Sequence, residues 1–219
     1  MERRAFLALA GAATSTAMTG CLSVFADSQE NVVLPPQEDQ RGESDHLAYP
    51  AYGQPFPEFA LPNPLTDETV ESVVSDRVTL MTAIYATCPA ECLIVGNRLA
   101  GVQSELEERG RSDDVRFVSV TFDPENDTAE VLRDHGENVG VDFDVGNWKF
   151  MRPDSVEEAE QVVTDELGIG FEREGGEFVH YVVTFLVNPD GYVERAYVGE
   201  LLDIDRLVED VETVADEYL

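Results

Sequence analysis

The stretch YATCPAECLIVGNRL, Tyr85 to Leu99, joins two different hydrophobic patterns. Before it, RVTLMTAIYA (77–86) is apolar and β-branched without alternation, which reads as a strand buried on both faces. After it, Leu93, Leu99, Val102 and Leu106 form an apolar stripe at helical spacing. That spacing predicts a helix opened by Pro89, a residue suited to a first turn, and running to about Arg109. The stretch is therefore a strand-to-helix junction. Cys88 stands just before the helix and Cys92 one turn in, so their sulfurs converge above the helix N-terminus. There the helix dipole and free N–H groups favour thiolates. A thiolate pair suits disulfide exchange or a soft metal such as Cu(I). Two core-facing thiols at a helix start are the plainer alternative.

Further along, VRFVSVTF (115–122) reads as a second strand, and Thr128 to His135 as a helix capped by Asp127 or Thr128. A short apolar piece spans Val141–Trp148, and a helix spans Ser155–Leu167, opened by Asp154 or Ser155. FVHYVVTFLVN (178–188) is expected as one long strand, closed by a tight Pro189-Asp190-Gly191 turn. YVERAYVG (192–199) alternates and pairs back as a hairpin, and Asp203 to Tyr218 forms an acidic amphipathic helix. Strands alternating with helices and ending in a hairpin predict an α/β fold, a central mixed β-sheet flanked by helices.

The 219 residues carry 14 basic and 45 acidic side chains, a formal net charge of −31. Phosphate backbones and anionic membrane surfaces are repelled by such a chain, which argues against nucleic acid as a partner. The acids are not one block. They alternate with apolar residues, which make up 43% of the chain. This describes a folded domain with an acidic surface, the pattern expected of a halophilic source, where salt screens the self-repulsion.

The N-terminus begins MERRAFLALAGAATSTAMTGCLSVF. Arg3 and Arg4 precede a weakly apolar, Ala- and Gly-rich run of signal length, which reads as a twin-arginine-type export signal. The run ends in Met18-Thr19-Gly20-Cys21, which resembles a lipobox, so residues 1–21 are read as a signal with Cys21 as the lipidation site. A two-chain lipid would hold the protein at the cell membrane, its domain facing outside the cytoplasm. Residues 22–50 are polar, contain proline and lack periodicity, and are read as a flexible tether, leaving residues 51–219 as the domain. With Cys21 assigned to lipid, Cys88 and Cys92 are each other's natural partners in an oxidising compartment.

A third donor must come from a histidine. His46 falls in the tether, and His135 in a polar helix end, where solvation is expected. His180 lies early in an apolar strand. A strand histidine is commonly structural, but loops at one sheet edge bring distant segments together. Two thiolates and one imidazole would make a trigonal soft-metal site. The acidic loops GVDFDVG and DPENDTAE lack the oxygen spacing of a calcium loop. Met81 and Trp148 read as packing residues.

Four segments together resemble the Sco/SenC family. TCPAEC is similar to its Thr-Cys-Pro-x-x-Cys signature, and SVTFDPENDTAEVLRDH to its acidic strand-end segment, with Asp123 and Asp127 in the acidic places. NWKFMRP is similar to its Trp-x-Phe segment, and VHYVVTFLVNPDG to its histidine segment. The likeness covers roughly residues 52–215. It implies a thioredoxin-like fold, a copper ion held by Cys88, Cys92 and His180, and Asp123 as an acidic neighbour of the site. It also implies a role in building the CuA centre of cytochrome c oxidase subunit II, or delivery to another copper or thiol client. Leu93, Val179 and Asn188 depart from the family pattern without removing a ligand. Beside the chaperone stands a thiol-disulfide oxidoreductase, in which Cys88, expected to be the more exposed thiol, attacks and Cys92 resolves. A peroxidase is disfavoured, because Ile84-Tyr85-Ala86-Thr87 lacks the proline such a site carries before its cysteine. A lipoprotein that merely binds partners would not need these four segments.

Overall fold

A computed structural model describes residues 31–174 and 177–219. The signal segment, Cys21 and residues 22–30 of the tether lie outside the described residues. No described helix is long and apolar enough to cross a membrane.

The centre of the molecule is the strand expected before the cysteines. β3 (Val78–Ile84) is buried along its whole length, as is β4 (Val115–Thr121), which pairs with it in parallel. Apolar runs of this kind cannot face water, so both faces must be covered. β4 in turn pairs in parallel with β5 (Trp148–Met151). On the other side β8 (Val183–Val187) runs antiparallel to β3, and β9 (Val193–Val198) antiparallel to β8. The five-stranded sheet has the order β5-β4-β3-β8-β9, a mixed sheet flanked by helices. A small hairpin of β1 (Ala60–Pro62) and β2 (Thr69–Glu71), too short to leave a pattern in the sequence, stands apart from it.

α1 (Glu91–Glu108) packs against α2 (Ala129–Val139) and α4 (Ile204–Tyr218). Two glycines permit this closeness. A Cβ on Gly96 would press on Val139 of α2 at 3.0 Å, and one on Gly101 would meet Ile204 of α4 at 2.8 Å. The helix caps follow the sequence: Thr128 Oγ1 accepts from Val131 N, and Asp203 Oδ1 from Arg206 N. α3 (Val156–Ala159), capped by Ser155, continues as a π-helical segment over Glu160–Glu166.

Several expectations are corrected. The helix that carries Cys92 starts at Glu91, not Pro89, with Ala90 as N-cap; Pro89 lies in a bend that follows the turn closed by Cys88 N donating to Tyr85 O. The expected long strand 178–188 is two strands. β7 (Glu177–His180) pairs with β6 (Phe171–Glu174) as a separate hairpin, and the chain enters the main sheet only at Val183. The break follows from burial: Val179 is 61% and Tyr181 69% exposed, whereas β8 is buried throughout. An unbroken apolar run hides this change from outer hairpin to sheet interior. His135 is buried, not solvated, because α2 turns it inward onto the cysteine loop. The described part of the stretch read as tether, residues 31–50, lies against the domain. Val33 and Leu34 donate backbone N–H groups to Glu194 of β9 at 2.9–3.0 Å.

Candidate metal centre

The site lies at the end of β3. The chain leaves Ile84, turns through Tyr85–Pro89 and enters α1, so Cys88 precedes the helix and Cys92 is its second residue. Cys92 N donates toward Cys88 Sγ at 3.4 Å, a helix N-terminal N–H spent on a sulfur. β7 brings His180 to the same point from the other side of the sequence. Cys92 Sγ and His180 Nε2 lie 3.8 Å apart, and one donor atom from each of Cys88, Cys92 and His180 falls within 4.8 Å of the others.

The histidine's orientation is fixed by its second nitrogen. Nδ1 sits 3.1 Å from the Tyr181 carbonyl oxygen, which can only accept. Nδ1 therefore carries a proton, and Nε2 is the ring nitrogen turned toward the sulfurs. Aromatic rings wall the imidazole: Tyr85 at 5.9 Å, edge-on, and Phe122 at 5.0 Å. Phe171 stacks on Phe122 and Phe178 meets both Tyr85 and Phe122, so the donors face an apolar enclosure.

Cys88, expected as the more exposed thiol, is itself buried. It is 2% exposed and Cys92 fully buried; neither is in a disulfide. What separates them is electrostatic. The Cys92 thiol donating to it, with further help from His180 and the N–H groups of Cys92 and Ala90, holds Cys88 far below the ordinary thiol range. Cys92 is pushed up by that same neighbour and by burial. One thiolate and one thiol share the site. The set of two soft sulfurs and one imidazole fits a soft ion that accepts trigonal ligation.

Asp123 does not join the cluster. Its carboxylate accepts from Asn126 Nδ2 at 2.9 Å and from Arg173 Nη2 at 3.3 Å. The closer acid to the cysteine loop is Asp127, fully buried. Its Oδ2 accepts from Ala86 N at 3.0 Å and from the Thr121 hydroxyl, while Oδ1 has no partner. On the carbonyl side of the same residue, His135 Nδ1 lies 3.2 Å from Ala86 O and donates to it. Burial lowers the His135 pKa and keeps the ring neutral. Both backbone groups of Ala86, two residues before Cys88, are thus tied by the segment 127–135. Sequence reasoning missed this clamp; its one signal was an ionisable pair, Asp127 and His135, eight residues apart beside an apolar strand.

Burial raises the Asp127 carboxyl to about 6. A carboxyl that binds its proton more tightly when folded stabilises the fold fully at pH below about 4, and that contribution is lost as pH rises through about 6. Asp127→Asn keeps an acceptor for Ala86 and removes the titration. Its urea stability should therefore lack the wild-type decline between pH 4 and 6.5, a difference on the order of 3 kcal/mol. Equal slopes in the two proteins would refute the assignment.

Known proteins share this fold. The SCO1/SenC family model matches residues 53–216. The SCO1 protein homolog of Bacillus subtilis is 29% identical over 142 residues, 64% of this chain and 72% of its own length. The structure of BsSco, described as a member of the Sco family of cytochrome c oxidase assembly proteins and studied for a disulfide switch, superposes with a TM-score of 0.64. It is 25% identical, covering 78% of this chain and 98% of that one. The copper-bound ScoI of Arabidopsis thaliana shares the fold at a TM-score of 0.61 and 20% identity, over 74% of this chain and 99% of its own. With its matched region running from the first turns of the domain into the last helix, the chain belongs to the SCO1/SenC family.

Proposed function

We propose that this protein is a copper chaperone that carries Cu(I) as cargo on Cys88, Cys92 and His180 and delivers it for assembly of the CuA centre in cytochrome c oxidase subunit II. The observation that carries the reading is the convergence of three soft-metal donors within 4.8 Å, from segments 88 residues apart, under an aromatic wall. Family membership and the copper-bound relative support it. We place the domain outside the cytoplasm, held at the membrane through lipid on Cys21; mass spectrometry finding Met1–Cys21 intact in the mature protein would remove the anchor. The acidic surface suits concentrated salt.

The opposed states of the two sulfurs favour a second activity at the same site. The Cys88 thiolate would attack a client disulfide, releasing one client thiolate; Cys92 would then break the mixed disulfide. The client leaves as a dithiol and the chain as a Cys88–Cys92 disulfide, two electrons having passed to the client.

The test is a titration of the reduced protein with Cu(I) in molar salt, against a competing chelator. One tight equivalent with two sulfurs and one nitrogen in its X-ray absorption spectrum is expected. Absence of tight binding, with thiols that cycle readily against a disulfide substrate, would leave the reductase alone.

A further inference from the structure

His180 reaches the sulfurs from a piece of structure the main sheet does not hold. β6 and β7 pair only with each other. Among the described residues no backbone-to-backbone hydrogen bond joins 170–181 to the rest of the chain. Phe171 stacks on Phe122 and Phe178 meets Phe122 and Tyr85 edge-on, contacts of about 0.5–1.5 kcal/mol each. The hairpin makes one ion pair among the described residues, Arg173 Nη2 to Asp123 at 3.3 and 3.4 Å.

The two ends of that pair differ. Asp123 is a fixed post. Its side chain is 5% exposed, both oxygens accept from Asn126 Nδ2, and its N–H donates to Thr121 Oγ1 at 3.1 Å. Arg173 is 49% exposed and belongs to the movable part. Its guanidinium lies 4.6 Å over the ring of Phe178, its partner across the hairpin. Phe178 and His180 are two residues apart in one strand and so point to the same face. The charge on Arg173 therefore ties a core carboxylate to the face that carries the imidazole. A buried carboxylate stripped of its cation is costly, which keeps the closed position favoured. The exposed guanidinium leaves the tie openable by a partner.

We infer that the Arg173–Asp123 pair is a latch that makes His180 a ligand. Closed, it gives a site of two sulfurs and one imidazole. Open, the hairpin withdraws and leaves two sulfurs, a site that releases its ion more readily. Arg173 and Asp123 are positioning residues; neither touches the metal. The inference rests on the copper reading above and sharpens it.

Arg173→Met keeps an apolar stem over Phe178 and removes the charge; Asp123→Asn removes the other charge and keeps the bond to Asn126. Each is compared with His180→Ala and with the corresponding double variant. Each should lower Cu(I) affinity by the same factor as His180→Ala, on the order of 10- to 100-fold, and add nothing in the His180→Ala background. The X-ray absorption spectra of both single variants should lose the nitrogen and keep two sulfurs. Arg173→Lys should restore part of the affinity. In the metal-free protein, amides of 171–180 should exchange hydrogen faster in the variants while those of β3 and β4 stay protected. Wild-type affinity with an intact nitrogen shell overturns the latch, as does an equal loss in the His180→Ala background. If the wild type binds no copper, the cargo reading fails, and the metal-free exchange still decides whether the pair holds the hairpin.

Discussion

Cys88→Ser and Cys92→Ser should each abolish tight Cu(I) binding, whereas His180→Ala should leave a weaker site. A hydroxyl is a hard donor and keeps its proton at neutral pH, so serine fills the space and contributes almost nothing to a soft ion. Metal sites with four protein ligands gain about 10–16 kcal/mol, roughly 3 per ligand, so one lost thiolate costs on the order of a hundred- to a thousandfold in affinity. The two variants should differ in the metal-free protein. The chief cause of Cys88's depressed pKa is the Cys92 thiol donating to it. Cys92→Ser substitutes a donor of different length and leaves Cys88 with His180 and two backbone N–H groups. Its alkylation rate should then require a higher pH than in the wild type. In Cys88→Ser the remaining thiol is fully buried and should alkylate slowly at any pH the fold tolerates. Serine variants that still bind one tight equivalent would end the cargo reading. A Cys88 alkylation profile indifferent to Cys92 would end the account of its acidity.

The junction was legible because its two sides obey different periods. An unalternating β-branched run can only be a buried strand, and a stripe at helical spacing can only begin after it, which places Cys88 and Cys92 without any tertiary information. His180 was legible as a candidate but not in its setting. The run 178–188 is apolar but for His180, Thr184 and Asn188, and nothing local says that Val179 and Tyr181 point to solvent while Val183–Val187 enter the sheet. Only the pairing of Glu172 with Val179 and Arg173 with Phe178 separates the two, and FERE has no strand signature that announces a partner. Asp127 and His135 were read as a cap and a solvated end for the same reason. Their role is to bind the N–H and the carbonyl of one residue, Ala86, 41 and 49 residues away in sequence, and long-range polar satisfaction leaves no period to detect. The described part of the stretch read as tether is polar and contains proline, and its hold on the domain is long-range: backbone groups of Val33, Leu34 and Pro35, the side chains of Gln37 and Asp39, and the buried Leu34.

Glu194→Ala should cost about 3–5 kcal/mol and strip residues 31–37 from the domain without touching the metal centre. Glu194 is wholly buried. It is the extra residue of a bulge in β9, where Val193 faces Val187 and Arg195 faces Leu186, and the bulge aims its carboxylate at the approaching strap. That carboxylate accepts from Val33 N and Leu34 N at 2.9–3.0 Å and from Asn188 Nδ2 at 2.7 Å. Alanine leaves the N–H groups of Val33 and Leu34 unpaired, each worth about 1–3 kcal/mol where the partner was charged, while Asn188 Nδ2 keeps Asn31 O and the Tyr218 hydroxyl. Arg195 donating to Pro35 O and the Arg206–Asp39 pair, at 2.9 and 3.0 Å, hold the strap less well, because the latter is exposed. A loss of this size lowers the melting temperature of a domain this long by roughly 6–20 °C. β9 is an edge strand, so removing its cover should also make the variant self-associate, visible by sedimentation. Copper affinity should not change, since Asn188 and the strap lie at the end of β8 opposite Val183 and His180. The same geometry bears on reach. Asn31 is gripped at that far end, so on the proposed lipid anchor the ten-residue step from Cys21 would span at most about 35 Å. Releasing the strap would lengthen that leash. Wild-type stability in Glu194→Ala, or an intact strap by limited proteolysis, would show that the grip lies elsewhere.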